Sequence, residues 1–281
     1  MKFKFPNFLI IGAAKSGTTS VYYYLKNHPE IFLPKLKEIN FFAYDGQKGP
    51  GYWAKTFEEY ISYFNNVKSE LAIGEVTPYY LPSPIAAKKI KDFLPDVRLI
   101  AVLRNPVDRA YSHYLMAIRA GKIKPNMEDA WSDPQRNYIN EGFYFKHLSR
   151  YYELFDENKI KIFYYDDLKN SPEKFIRSLF TFLKVNPDFV PELNLTHAKG
   201  YLPKYYFINR IVNSNLIKYK LKPLIPEYFL KIGIKIKSLN SENPPEISEE
   251  LRYKLLAVYR EDILKLQDLL KKDLTCWLSI S

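Results

Sequence analysis

Phe8-Leu-Ile-Ile-Gly12-Ala-Ala-Lys15-Ser16-Gly17-Thr18-Thr19-Ser20 is the stretch from which the fold can be read. The apolar run Phe8 to Gly12 predicts a buried strand, and Thr18 to Asn27 predicts the helix after it. Between them a short glycine-bearing loop can turn its backbone N–H groups inward, and the helix N-terminus adds positive potential. That is a cradle for a phosphate-like anion. The nucleoside triphosphate pattern G-x-x-x-x-G-K-[ST] places a lysine after the second glycine. Here Thr18 stands in that place and the lysine, Lys15, precedes Gly17. No apolar run ending in aspartate supplies an obvious magnesium ligand. One lysine plus hydroxyls, without a metal, suits a ligand less charged than a triphosphate.

Working outward, Leu71 to Gly74, Arg98 to Leu103 and Lys159 to Tyr165 read as three further strands. The run Arg98-Leu-Ile-Ala-Val-Leu103 is apolar throughout, as in a strand covered on both faces. Pro106 fits the first turn of a helix reaching about Ala120. Helices follow over Pro172 to Lys184 and Ser248 to Lys272, the last opened by Ser248 with Glu249 and Glu250. Strands alternating with helices imply right-handed β-α-β units. The expected fold is a single α/β domain over 1–281, a central parallel sheet flanked by helices. Residues 203–247 break the rhythm as a basic, proline-bearing insertion, a candidate lid, acceptor site or interface.

Composition narrows the classes. In 281 residues the hydrophobic fraction is 47% and the charged fraction 26%, ordinary globular values that exclude disordered and fibrous chains. The single cysteine, Cys276, forms no intrachain disulfide, and four histidines show no metal-ligand spacing. No apolar stretch is long enough for a membrane span. The expectation is a soluble, cytoplasmic protein. Net charge is +11, and between Lys199 and Asn240 nine Lys/Arg face one acid, Glu227. Such a surface attracts anions, and 203–240 is a candidate for membrane-surface contact or a homodimer interface.

The strand Arg98 to Leu103 delivers Arg104-Asn105-Pro106 at its carboxyl end, where parallel sheets bind ligands. Lys15 and Arg104 are therefore expected on one rim. Arg104 offers a planar fork for a phosphate, and Ser112 a hydroxyl. Together these segments resemble the sulfotransferases that use 3′-phosphoadenosine 5′-phosphosulfate (PAPS). The resemblance implies a P-loop-like sulfotransferase fold and a Lys-x-Gly-Thr-Thr loop that holds the 5′-phosphosulfate. Here that loop is Lys15, Ser16, Gly17, Thr18, Thr19 and Ser20. It implies that Arg104 and Ser112, eight residues apart, hold the 3′-phosphate. Glu38-Ile39-Asn40-Phe41-Phe42 is similar to the Glu-x-x-Phe-Phe element of the heparan-sulfate-type enzymes, N- and 3-O-, whose glutamate is the proposed base. Lys199-Gly200-Tyr201 is similar to their loop over the 3′-phosphate and adenine. The final helix and Trp277 suit bacterial members. The chain departs at Glu75-Val76, where the heparan enzymes carry Glu-Lys, and it lacks the cysteine pair of the 3-O enzymes.

The resemblance implies PAPS as donor, 3′,5′-ADP as product, no metal and no nucleic-acid partner. The acceptor is a carbohydrate-like hydroxyl or amine, or else a small natural product or lipid hydroxyl. Glu38 would take the acceptor's proton, desolvated by Phe41 and Phe42, and Lys15 would stabilise the leaving oxygen. Glu38 also reads as a surface glutamate paired with Lys35 or Lys37. Glu75 is a second base candidate on the same rim. His113 and Tyr79 complete the acceptor-site candidates, although a helix histidine and paired tyrosines are more often structural. Two other readings remain open: a P-loop kinase acting on a small metabolite with magnesium, and a basic binding module without catalysis.

Overall fold

A computed structural model describes residues 4–46, 53–120, 131, 137–192, 202–205 and 241–279. Five parallel strands form one sheet in the order β2-β3-β1-β4-β5. They are β1 (Phe8–Gly12), β2 (Ile31–Phe32), β3 (Ala72–Val76), β4 (Arg98–Leu103) and β5 (Ile160–Tyr164). Helices α1 (Thr18–Lys26), α2 (Phe57–Ser62), α3 (Ala86–Phe93), α4 (Pro106–Arg119), α5 (Tyr144–Tyr152), α6 (Tyr165–Asn170), α7 (Pro172–Leu183) and α8 (Glu249–Leu270) connect and cover them. A two-stranded antiparallel pair, Leu202–Pro203 with Ser241–Glu242, lies apart from the main sheet. No described helix is long and apolar enough to cross a membrane.

The strands are apolar on both sides because the sheet is buried on both sides. Leu9, Ile11, Leu99, Ala101 and Leu103 enter one core with α3, α4 and α8. Their neighbours Phe8, Ile10, Ile100 and Val102 enter the other, with α1 and α7. This two-residue alternation is the pleat itself. From β1 the chain passes to β2 at one edge, returns to β3 beside β1, and then crosses to β4 on the other flank. Strand order therefore reverses at β1, and the carboxyl ends of β1 and β4 bound a crevice.

The second predicted strand is displaced. It runs over Ala72–Val76 rather than 71–74, with Leu9 opposite Glu75 and Ile10 opposite Val76. Glu75 interrupted the apolar pattern, yet it lies inside the sheet at 2% exposure, because hydroxyls satisfy its oxygens. Helices α2, α3, α5 and α6 were not anticipated. Within 203–247, residues 206–240 lie outside the described part, as do the lid, interface and membrane-contact expectations placed on them.

Helix α5 braces the site. Its N-terminal turn has no side-chain cap of its own. Instead Asp262 of α8, itself buried, accepts the backbone N–H groups of Phe145 at 2.9 Å and Lys146 at 3.1 Å. Tyr144 of α5 then donates its hydroxyl to the Arg104 carbonyl at 2.9 Å. Removing the cap leaves two amides unpaired. Asp262→Ala is expected to lower stability by about 1–3 kcal/mol, read as a lower midpoint in urea unfolding.

Candidate active site

At the crevice lies a cleft of about 520 Å³, lined by Lys15, Gly17, Thr18, Thr19, Ser20, Tyr23, Glu38, Tyr79, Arg104, Ser112 and His113, among others. The loop after β1 begins where Ala13 N–H donates to Val102 O at 2.9 Å, tying β1 to β4. Lys15 then adopts φ 70°, left-handed for a residue with a side chain, at a cost of about 1 kcal/mol or more. Gly17 caps α1 at φ 83°. A Cβ there would lie 2.6 Å from Leu168 and 3.2 Å from the Tyr165 ring, so only glycine fits by conformation and by space. Helix α1 has neither a side-chain cap nor an acidic residue in its first turn, leaving its N-terminal field unopposed where Thr18 and Thr19 line the cleft.

Arg104 completes the same wall. Asn105 accepts the Val107 N–H at 3.0 Å and, with Pro106, starts α4 directly after β4. The Arg104 guanidinium sits 4.7 Å above the Tyr165 ring centroid and donates to the Lys15 carbonyl at 3.3 Å. Lys15 and Arg104 therefore share one cleft, with Ser112 nearly two helix turns into α4.

Lys15 is short of negative neighbours. Its Nζ lies 3.6 Å from the Met116 thioether. Burial first, then the nearby charges of Arg119, Arg104, Lys37 and Arg109, push its pKa down to about 8. An anion placed beside an amine so crowded by cations would be favoured electrostatically.

Glu38 also lines the cleft. Its N–H donates to Val76 O at 3.3 Å, fastening its loop to β3, and Tyr22 of α1 donates to Pro34 O at 2.9 Å, fastening it to α1. Glu38 itself has φ 65°. Its carboxylate is 47% exposed and accepts from Lys37, which is the alternative the sequence raised. The expected desolvation by Phe41 and Phe42 does not occur. Both rings turn into a core with Tyr60, Tyr80 and Phe93, at 3% and 0% exposure.

Two expected members of the cleft are elsewhere. Glu75 is not on the rim, since β3 runs past it, and its carboxyl is buried with its pKa raised by desolvation. Ser16 is fully buried and does not line the cleft. His113 does line it, but its Nδ1 lies 3.3 Å from Glu141 Oε2 and 3.4 Å from Arg109 Nη1. The Arg109–Glu141 pair beneath it is closed at 3.2 Å and buried. Tyr79 lies at the mouth, 46% exposed. Lys199, Gly200 and Tyr201 fall outside the described residues. Sequence reasoning missed Tyr23, Met116 and Tyr165 as lining residues. For Tyr165 a signal existed: it directly follows β5, at the binding end of the sheet.

A family model described as a sulfotransferase domain matches residues 5–200. A membrane-associated sulfotransferase, kil1 of Dictyostelium discoideum, is 40% identical over 114 residues, 41% of this chain and 23% of that protein. The bifunctional heparan sulfate N-deacetylase/N-sulfotransferase 4 of Mus musculus is 28% identical over 288 residues, 95% of this chain and 30% of that protein. The chain thus spans less than a third of the length of either relative. A sulfotransferase from Alicyclobacillus acidocaldarius superposes with TM-score 0.74 at 27% identity, covering 98% of this chain and 100% of that one.

The lowered pKa of Lys15 has a signed consequence. The folded amine loses its proton near 8, whereas the unfolded one keeps it to about 10.5. Burying the charged form therefore costs stability below pH 8, and the cost fades between about 8 and 10.5. Lys15→Met is expected to be more stable than the parent at pH 7, by on the order of 2 kcal/mol. The gain should shrink as urea unfolding is repeated up to pH 10.

Proposed function

Since the chain belongs to the sulfotransferase family, we propose that it moves a sulfuryl group from PAPS to a hydroxyl or amine of a carbohydrate-like acceptor. The observation that carries this reading is the convergence of Lys15 and Arg104, from two different strand ends, on one cleft that crowds Lys15 with positive charge. A donor with phosphate at one end and phosphosulfate at the other fits that pattern.

The residues present fit such a donor. Thr18, Thr19 and the free first turn of α1 would hold the phosphosulfate, with Lys15 against the bridging oxygen. Arg104 and Ser112 would hold the 3′-phosphate, the guanidinium resting over the Tyr165 ring. Lys199, Gly200 and Tyr201 would close over the nucleotide. When bound, PAPS supplies sulfur to the acceptor atom: a bond from that atom to sulfur forms as the bond from sulfur to the bridging oxygen breaks, and 3′,5′-ADP departs with the electron pair.

Glu38 would take the proton the acceptor loses. To do so it must leave Lys37, from whose ammonium it accepts a hydrogen bond. Lys15 stabilises the negative charge that grows on the leaving oxygen, a contribution largest in the transition state. An anion beside Lys15 would also restore its proton affinity, so donor binding above pH 8 takes up a proton. Tyr79 and Tyr23 at the mouth offer faces for an acceptor ring. Within the same class, the acceptor is alternatively a small natural product or lipid hydroxyl.

Thermal shift with 3′,5′-ADP, ATP plus magnesium, and RNA separates the classes. A selective rise with 3′,5′-ADP is expected, and a selective rise with ATP and magnesium sinks the reading in favour of a kinase. Arg104→Ala should weaken 3′,5′-ADP by roughly tenfold or more, the worth of a charge-assisted pair. Glu38→Gln should cut turnover about 100-fold while leaving 3′,5′-ADP affinity nearly intact. Turnover is followed by mass spectrometry as the gain of one SO₃ unit across an acceptor panel.

A further inference from the structure

The buried ion pair beneath the cleft is used by no step above. Arg109 of α4 is fully buried, Glu141 is 5% exposed, and Arg109 Nη1 donates to Glu141 Oε2 at 3.2 Å. Taking two charges out of water is costly, so the pair invites a reason. His113, one helical turn after Arg109, is its third member. Its Nδ1 lies 3.3 Å from the same Glu141 oxygen and 3.4 Å from Arg109 Nη1. The His113 side chain is 13% exposed and lines the cleft. The pair therefore reaches the site through one imidazole.

The segment that carries Glu141 is fastened to its surroundings. Tyr259 of α8 donates its hydroxyl to the Ile139 carbonyl at 2.8 Å, and Gly142 N–H donates to the same carbonyl at 2.9 Å. Arg109 Nη2 donates to the Tyr138 carbonyl. The carboxylate is thus fixed beside the ring. A carboxylate paired with a guanidinium offers only lone pairs. An Nδ1 without hydrogen would set its own lone pair against them at 3.3 Å. The hydrogen therefore belongs on Nδ1, an assignment made from this network, and Nε2 keeps a lone pair. Among the described residues Nε2 has no hydrogen-bond partner. Met116, three residues on along the same helix face, has its Sδ 3.6 Å from Lys15 Nζ. His113 accordingly adjoins the Lys15 end of the cleft.

We infer that Glu141 is a positioning residue: backed by Arg109, it holds the His113 imidazole in the Nδ1–H form and so presents Nε2 to the cleft, where Nε2 accepts a hydrogen bond from an O–H or N–H of the sulfuryl acceptor. This rests on the sulfotransferase reading. A lone pair matches a hydroxyl or amine and repels a phosphate oxygen, so the partner is the acceptor and not the 3′-phosphate of the donor. The bond orients the acceptor. No proton passes to the ring, and Glu38 keeps the role of base.

The test combines nitrogen-15 spectra of the four histidines with kinetics on the whole chain. Above neutral pH the parent should show the His113 hydrogen on Nδ1. In Glu141→Gln, whose amide N–H can donate to Nδ1, the hydrogen should shift toward Nε2. Kinetics use PAPS with a panel of oligosaccharides and small hydroxyl compounds. His113→Phe keeps a ring without either nitrogen. Its kcat/KM for an acceptor the parent uses should fall about tenfold, mainly through KM, the worth of one hydrogen bond. Affinity for 3′,5′-ADP by calorimetry should stay within about twofold. His113→Gln, whose amide extends about as far as Nε2, should recover part of the loss. Glu141→Gln should match His113→Phe, and combining the two should cost nothing more. Should Glu141→Gln fail to fold, the parent spectrum and the two His113 variants still decide. Hydrogen on Nε2 in the parent, or additive losses in the double variant, overturn the inference. So does a loss of 3′,5′-ADP affinity in His113→Phe, which marks a nucleotide contact, and so does a parent that binds 3′,5′-ADP yet sulfates no member of the panel. A parent that binds no 3′,5′-ADP refutes the sulfotransferase reading instead, and the spectra still decide whether Glu141 fixes the ring.

Discussion

Mutual repulsion among positive charges is the constraint around which this molecule is arranged. Lys15 lies within the fields of Arg119, Arg104, Lys37 and Arg109, and among the described residues it forms no ion pair. Left alone, such a cluster would spread. The fold prevents this with neutral fastenings: Arg104 rests on the Tyr165 ring and on the Lys15 carbonyl, and Tyr144 grips the Arg104 carbonyl from α5. Acids are used selectively. Glu141 is paired with Arg109, beneath the site, and Asp262 is aimed at backbone amides. The cations gathered around Lys15 thus favour an anion in the cleft.

The sheet supplies the rigidity this requires. Two apolar cores clamp it from both faces, and its strand order reverses at β1, so that loops from neighbouring strands meet at one crevice. The two residues proposed for chemistry, Lys15 and Glu38, are both in the left-handed region, as are Asn40, Lys184 and Lys271. Lys15 and Glu38 are each bounded by hydrogen bonds to sheet residues, Ala13 to Val102 on one side and Glu38 to Val76 on the other. A buried glutamate inside a parallel strand would ordinarily weaken it. Here the Thr77 and Tyr80 hydroxyls satisfy its oxygens from within the sheet layer.

The sequence on its own determined the framework: β1, β4, β5, the helices after β1 and β4, and the long C-terminal helix capped by Ser248, whose hydroxyl accepts the Leu251 N–H at 3.3 Å. These follow from local rules, namely apolar runs, proline at a helix start and a serine cap. That Lys15 and Arg104 belong to one site was legible too, because parallel topology sends every strand's carboxyl end to the same rim. Only the tertiary structure decided the remainder. Whether Glu75 faced the rim or the core depended on register against β1, and an isolated charged residue gives no local sign of its partners. Whether Phe41 and Phe42 covered Glu38 depended on a short turn that directs both rings into an aromatic core, leaving Glu38 in solvent beside Lys37. Contacts between residues far apart in the chain, such as Tyr165 under Arg104, arise from packing of whole elements, and no spacing along the chain encodes them.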